Sequence, residues 1–353
     1  MYFADERRSL PPELWAEIFG LACSDNGFSG RSISNVCRYF HEVCKPVKYR
    51  SVAILGIPSA IKFLLVIQNL PQEHRRVESM YLSLYSPRYN QDEQIQSSNP
   101  KYQAISRKID AVFDAAGIEL ERSLKGDKYD HRHHRQRVQL AIQILQAVAP
   151  SLRLLFLSFA QVPRKKLFLP VHFPCLSELA LIGLIDPRVK IDLTGDILPS
   201  LRRLRMSYHR KLDPHEIWVL TPNVTHLRLD CEWTPNFVNE SALVRYLGPP
   251  QTMMDMPLDN SSPFLIRLPQ TLQCFIVFLG SRPPFLVSEA IPELQRAQQT
   301  LEELFESNEK LFIQRGGHSS SPWSYYREEE VRFRQEWLTR LEGSPAHWDV
   351  ANH

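Results

Sequence analysis

Near the N-terminus, apolar residues recur at helical spacing. In Leu10-Pro11-Pro12-Glu13-Leu14-Trp15-Ala16-Glu17-Ile18-Phe19-Gly20-Leu21-Ala22, the residues Leu14, Ile18 and Leu21 predict a helix with one buried stripe, and Trp15 and Phe19 widen it to a second apolar surface. The prolines suit a first turn, whose backbone donors have no partner within the helix. Two apolar faces on so short a helix predict two packing partners. A polar, Gly-containing stretch from Ser24 to Gly30 breaks the pattern. A second helix is then predicted from Ile33, Val36, Cys37, Phe40, Val43 and Cys44, and Pro46 stops it. About fifty residues with two short helices bury little apolar surface alone, so this module is expected to lean on a partner or on the following domain.

Tyr49 to Ile54 predicts a short extended segment, Ala60 to Leu70 a helix ended by Pro71, and Val77 to Leu82 a strand. Pro87 to Pro100 is polar and predicts a mobile loop. Ile105, Ile109, Val112, Phe113 and Ala116 predict a helix from Tyr102, and Val138, Ile142, Leu145 and Val148 another, with a basic, His-bearing linker between them.

A repeat follows. Pro150-Ser151-Leu152-Arg153-Leu154-Leu155-Phe156-Leu157 is echoed from Pro174, from Pro199 and from Pro222, and more loosely from Pro269 with Leu272, Phe275 and Val277. The prolines stand 24, 25, 23 and 47 residues apart, the last being about two periods. Each Leu-x-x-Leu-x-Leu copy supplies one short strand that cannot cover its apolar face alone, so the copies are expected to stack into a parallel sheet. The asparagine usual in regular leucine-rich repeats is missing, with Ala160, Leu184, His209 and Glu232 at the corresponding positions. Irregular return segments are therefore expected.

If Leu155, Leu157 and their equivalents face the core, alternation turns three rows the other way: Leu154, Glu178, Arg203 and His226; Phe156, Ala180, Arg205 and Arg228; and Ser158, Ile182, Ser207 and Asp230. That face is either simply solvated or a site where Arg203, Arg205, His226 and Arg228 hold an acidic or phosphorylated target segment. Further on, Gly248 to Pro257 predicts a loop, Ile291 to Phe312 a helix and Gly316 to Ser321 a break. Trp323 to Leu341 predicts a final helix whose Tyr326, Phe333, Trp337 and Leu341 stripe caps the end of the repeats.

With 43% hydrophobic and 23% charged residues in 353, the composition is that of a folded chain with a small module and one larger body. A net charge of +3 gives no reason to expect nucleic acid or membrane as a partner. Charges in Asp5-Glu6-Arg7-Arg8 stand where a secretory signal would need an apolar core, and no stretch approaches the roughly 20 apolar residues of a membrane span. Cys23, Cys37, Cys44, Cys175, Cys231 and Cys274 are scattered, several inside apolar periodic segments, which points to a reducing compartment, cytoplasm or nucleus. No phosphate loop, nucleophile elbow, His-Glu-x-x-His or paired Cys-x-x-Cys is present, so no enzyme, cofactor or metal is expected. His131, His133 and His134 are flanked by Arg132, Arg135 and Arg137, which would oppose a bound cation, and are expected in a solvated loop.

Leu10-Pro11-Pro12-Glu13-Leu14 with Ile18-Phe19, then Val36-Cys37-Arg38-Tyr39-Phe40, then Tyr49-Arg50-Ser51-Val52, resemble the F-box in the form common in mushroom-type fungi. The resemblance covers about the first fifty residues, and many such proteins continue into irregular leucine-rich repeats, which this sequence resembles. It implies an α/β fold: a small helical F-box over residues 1–55, then an irregular leucine-rich-repeat-like solenoid over 56–353 with a parallel sheet and a C-terminal capping helix. It implies docking to the Skp adaptor, and through it to a cullin-RING ligase, with Leu10, Pro11, Leu14, Ile18, Val36, Cys37 and Phe40 as adaptor-contacting or module-core positions. The expected function is substrate receptor of a Skp-cullin-F-box ubiquitin ligase, its repeat domain holding an unknown target protein. Alternatives are a non-catalytic scaffold whose F-box acts outside ubiquitin transfer, or an enzyme whose acid/base pair only folding assembles.

Overall fold

The computed structural model describes residues 10–84, 129–158, 171–182, 198–208, 217, 221–231, 270–279, 299, 302, 310–315, 322–344 and 348. In chain order these form α1 (Pro12–Ala22), α2 (Phe28–Ser34), α3 (Arg38–Cys44), β1 (Ser51–Leu55), α4 (Gly56–Asn69), β2 (Ser79–Ser83), α5 (Tyr129–Val148), β3 (Leu154–Ser158), β4 (Glu178–Ile182), β5 (Arg203–Tyr208), β6 (His226–Cys231), β7 (Cys274–Leu279), β8 (Leu311–Arg315) and α6 (Pro322–Leu341). The chain is α/β, with one open parallel sheet in the order β1 to β8. It divides into two compact units, the first comprising residues 1–156 and 334–344, the second 157–333 and 345–353.

In the first unit, β1 and β2 pair in parallel from Ser51 opposite Ser79 to Leu55 opposite Ser83. Helix α4 starts at Gly56, earlier than the apolar spacing alone indicates, with Gly56 at a positive φ of 75° and Pro58 in the first turn. It buries Ile57, Ala60, Ile61, Phe63, Leu64 and Ile67 and packs on α5. The outer edge of β1 is not bare. Ala53 N–H reaches the Asn26 carbonyl at 3.4 Å, and a Cβ on Gly27, itself at φ 85°, would stand 3.1 Å from the Ser51 carbonyl. The loop after α1 therefore lies along the edge strand and covers backbone groups that would otherwise invite another chain. Asp25 shapes that loop by accepting from the N–H groups of Gly27 and Ser29, both at 2.8 Å.

Arg50 ties the helical module to the strands. Its Nη1 donates to the Gly20 carbonyl at 3.0 Å, and its Nε and Nη2 reach Glu78 Oε2 at 3.1 and 3.0 Å. The Arg50 carbonyl accepts from Glu78 and Ser79 N–H. One side chain and one carbonyl thus join α1, the exit of the module and the start of β2.

Helix α5 begins at Tyr129, so the histidine run expected in a linker is helical. Neither Gly nor Pro occurs between Tyr129 and Val148, and charged residues tolerate a helix, so polarity was a poor sign of a loop there. The expected loops at 87–100, 248–257 and 316–321, the helix from Tyr102 and the repeat positions Ala160, Leu184, His209 and Glu232 lie outside the described residues.

In the second unit the predicted rows are in register. Glu178 stands opposite Arg203, Arg203 opposite His226, and His226 opposite Cys274; Ala180, Arg205, Arg228 and Ile276 form the next row, and Ser207, Asp230 and Phe278 the third. On the other face Leu179, Leu181, Leu204, Met206, Leu227, Leu229, Phe275 and Val277 are all buried. The corners before the strands are stitched from copy to copy. Ser200 Oγ donates to the Pro174 carbonyl at 2.6 Å, Asn223 Nδ2 to Pro199 at 3.1 Å and Thr271 Oγ1 to Pro222 at 3.2 Å. A polar residue one or two positions after Pro199, Pro222 and Pro269 therefore pins each of these copies to the one before.

Three expectations need correction. The one helix expected to carry Ile33 to Cys44 is two, α2 ending at Ser34 and α3 starting at Arg38, with Cys37 capping the second; both flanks are apolar at helical spacing, so spacing did not reveal the break. The helix predicted to run as far as Phe312 cannot do so, because Leu311–Arg315 is β8, paired with β7 from Phe275 opposite Leu311. Leu311-Phe312-Ile313 is a short apolar run, which periodicity alone cannot assign to helix or strand. The last helix does not cap an end. Within the first unit Trp337 donates its indole N–H to Ser79 Oγ of β2 at 3.0 Å and packs on Tyr81, and within the second Phe333 lies under the Arg205 guanidinium of β5 at 5.2 Å; neither is an edge strand.

Candidate docking surface

Two apolar stripes run along α1, and they have opposite fates. Trp15, Phe19 and Cys23 turn inward, where Phe19 and Cys23 join Cys44 at the centre of the module with Trp15, Ile33, Phe40, Val43 and Val47 packed round them. The rings of Trp15 and Phe19 lie 4.9 and 5.0 Å from that of Phe40. The stripe of Leu14, Ile18 and Leu21, expected to be the buried one, faces outward: Leu14 is 44%, Ile18 43% and Leu21 74% exposed, and Leu10 before the helix is 40% exposed. Spacing identified both stripes but could not rank them. The aromatic stripe is inside because the wider rings fill the space between three short helices with fewer side chains.

Of the residues singled out for adaptor contact, Leu10, Pro11, Leu14, Ile18, Val36 and Cys37 are exposed, and Phe40 is half-buried in the module core. Cys37 has a second task, since its Sγ accepts from Phe40 N–H at 3.4 Å and caps α3. Leu21, Phe28 and Tyr39 are further exposed apolar side chains that the motif did not single out. Large apolar residues concentrated on one small module are the mark of an interaction surface, whereas isolated ones are ordinary.

The module that presents this surface is close-packed. A Cβ on Gly30 of α2 would stand 2.4 Å from the Lys48 carbonyl and 3.2 Å from Cys23 Sγ. Gly30→Ala is accordingly expected to cost about 1–3 kcal/mol in chemical denaturation, because backbone must move to admit one methyl group.

The residues expected to hold a target are placed differently. Arg203 and His226 are half-buried, Arg203 pairing with Glu178 at 3.5 Å and His226 bonded through Nδ1 to Thr225 Oγ1 at 2.8 Å with its ring 5.9 Å from Trp348. Burial, and then Arg203, lower the His226 pKa and so favour its neutral form. Arg205 and Arg228 are wholly enclosed. Arg205 Nε bonds Asp230 Oδ2 at 2.6 Å, Arg228 Nε bonds Asp230 Oδ1 at 2.9 Å, and the Arg228 guanidinium stacks 4.7 Å from the Phe278 ring. The expectation of a solvent-facing arginine row is therefore corrected. Alternation put these side chains on the face opposite the leucines, as anticipated, but the chain's own residues cover that face as well, as parallel sheets require.

The side chains of His131, His133 and His134 lie outside the described residues. Among the described residues, no helix is long and apolar enough to cross a membrane. No protein-family model matches the chain, and neither a curated protein nor a solved structure matches it.

Proposed function

We propose that the chain is an F-box substrate receptor that docks onto a Skp adaptor through the outward stripe of α1, placing a target held elsewhere on the chain near a cullin-RING ligase. The exposure of Leu10, Leu14, Ile18 and Leu21 carries this reading: three large aliphatic side chains left in water on a helix whose other stripe is satisfied internally, and a fourth just before it. Burying each against a partner is worth roughly 1.5–3 kcal/mol before the costs of association. The motifs Leu10-Pro11-Pro12-Glu13-Leu14 and Val36-Cys37-Arg38-Tyr39-Phe40 favour the Skp adaptor as that partner. The Arg50 clamp supports the receptor role, because a docking helix fixed to the first unit transmits a defined geometry to whatever that unit carries.

Binding of the full chain to purified Skp adaptor tests this. Leu14→Asp and Ile18→Asp are each expected to weaken it by about 2 kcal/mol, roughly 30-fold, while leaving the thermal midpoint almost unchanged because both positions are exposed. Equal affinity of wild type and both variants, or no binding by wild type, would sink the reading.

A further inference from the structure

Two thiols that docking does not use lie together inside the helical module. Cys23 follows the last residue of α1, Cys44 is the last residue of α3, and neither has any exposed surface. Gly30 of α2 sits between them. Cys44 Sγ donates to its carbonyl at 3.7 Å, and the place where its Cβ would be lies 3.2 Å from Cys23 Sγ. Both sulfurs thus lie against Gly30, and both residues belong to one buried cluster with Phe19. Buried cysteine usually serves as a small hydrophobe. Here two of them, 21 positions apart in the sequence, meet inside one cluster with Gly30 against both.

We propose that Cys23 and Cys44 are an oxidisable pair that closes to a disulfide and staples the end of α1 to the end of α3. Closure brings the two sulfurs, both already against Gly30, to about 2.05 Å from each other. With hydrogen peroxide as oxidant, the Cys44 thiolate attacks one peroxide oxygen, the O–O bond breaks, and the departing hydroxide takes up the thiol proton as water. Cys23 sulfur then attacks the resulting sulfenic acid, the S–O bond breaks, and hydroxide leaves with the Cys23 proton as a second water. Two thiols lose two hydrogens, and both peroxide oxygens end in water. Cys44 acts first because the hydrogen bond from Cys23 lowers its pKa, whereas that bond, burial and the Cys44 charge push Cys23 well above the usual thiol range. Opening of the seven-residue helices α2 and α3 gives the oxidant access, since such short elements unfold locally at small cost.

The test uses the full reduced chain, treated with hydrogen peroxide, then unfolded in an alkylating agent and mapped by mass spectrometry. A Cys23–Cys44 linked peptide is expected, lighter by two hydrogens than the reduced pair, with a thermal midpoint raised by about 5 °C or more and restored by a dithiol reductant. In Cys23→Ser no link forms, and Cys44 is captured as sulfenic acid by dimedone. Recovery of both residues as free thiols once the exposed Cys37 is fully oxidised, or a link from either to Cys37, would overturn the proposal. The mapping needs neither a variant nor the adaptor, so its failure is distinct from failure of the docking reading.

Discussion

Asp230→Asn is expected to destabilise the chain by about 3–5 kcal/mol, because it removes the carboxylate to which two enclosed arginines hydrogen-bond. Arg205 and Arg228 approach opposite oxygens of Asp230, and Arg332 is near enough to act on its charge. Burial by itself would raise the Asp230 carboxyl, but Arg205, Arg228 and Arg332 outweigh it and hold the group at about 2, below its ordinary 3.8. Burial and the neighbouring Arg228 bring the Arg205 guanidinium down to about 10, so it remains charged at neutral pH and in need of a counter-charge. Because the folded carboxyl titrates below the unfolded one, its contribution is complete above about pH 4 and is lost as the pH falls toward 2, to the extent of about 2–3 kcal/mol. Urea denaturation at pH 7 and at several points down to pH 2 checks both statements. The wild type should lose stability across that acid window more steeply than Asp230→Asn. Two superimposable profiles would show that the carboxylate does not support the arginines.

Trp337→Ala should cost a similar 3–5 kcal/mol in the first unit. The indole is fully buried, its ring centroid is 5.7 Å from that of Tyr81, and its N–H is used by Ser79. Trp337→Phe separates the two contributions. It keeps an aromatic ring but leaves the Ser79 hydroxyl without the indole donor, and about 1–2 kcal/mol is expected. Far-UV circular dichroism during urea titration reads both variants. If alanine were tolerated as well as phenylalanine, the ring would not be filling the space over β2.

Much of this architecture could be read directly. The repeat prolines and leucines located β3 to β7 because a strand alternating every second residue leaves a record in the chain, and the registers of Glu178, Arg203 and His226 followed from the same alternation. The two stripes of α1 were legible for the corresponding helical reason. Their assignment was not, since periodicity says that a face is apolar and not what lies against it. The same ignorance produced the error over Arg205 and Arg228. A row of arginines on a strand looks solvated until α6 is seen to bring Phe333 over one of them. A buried arginine that shares Asp230 differs from an exposed one only through residues distant in sequence. Polar composition likewise suggested a loop for His131 to His134, although the absence of Gly and Pro was the better guide.

Local spacing in the amino-acid chain thus determined where α1 and the repeat strands form, which of their residues share a face, and that the first fifty or so residues carry more apolar surface than they can hide. Tertiary structure decided which face is hidden: the aromatic side of α1 inward and Leu14, Ile18 and Leu21 outward, Arg205 and Arg228 enclosed on the face opposite the leucines, and Cys23 and Cys44 brought into one cluster. The physical reason is one of range. Hydrogen-bonded periodicity is set by neighbours a few residues apart, whereas burial belongs to whichever distant segment folds over a surface.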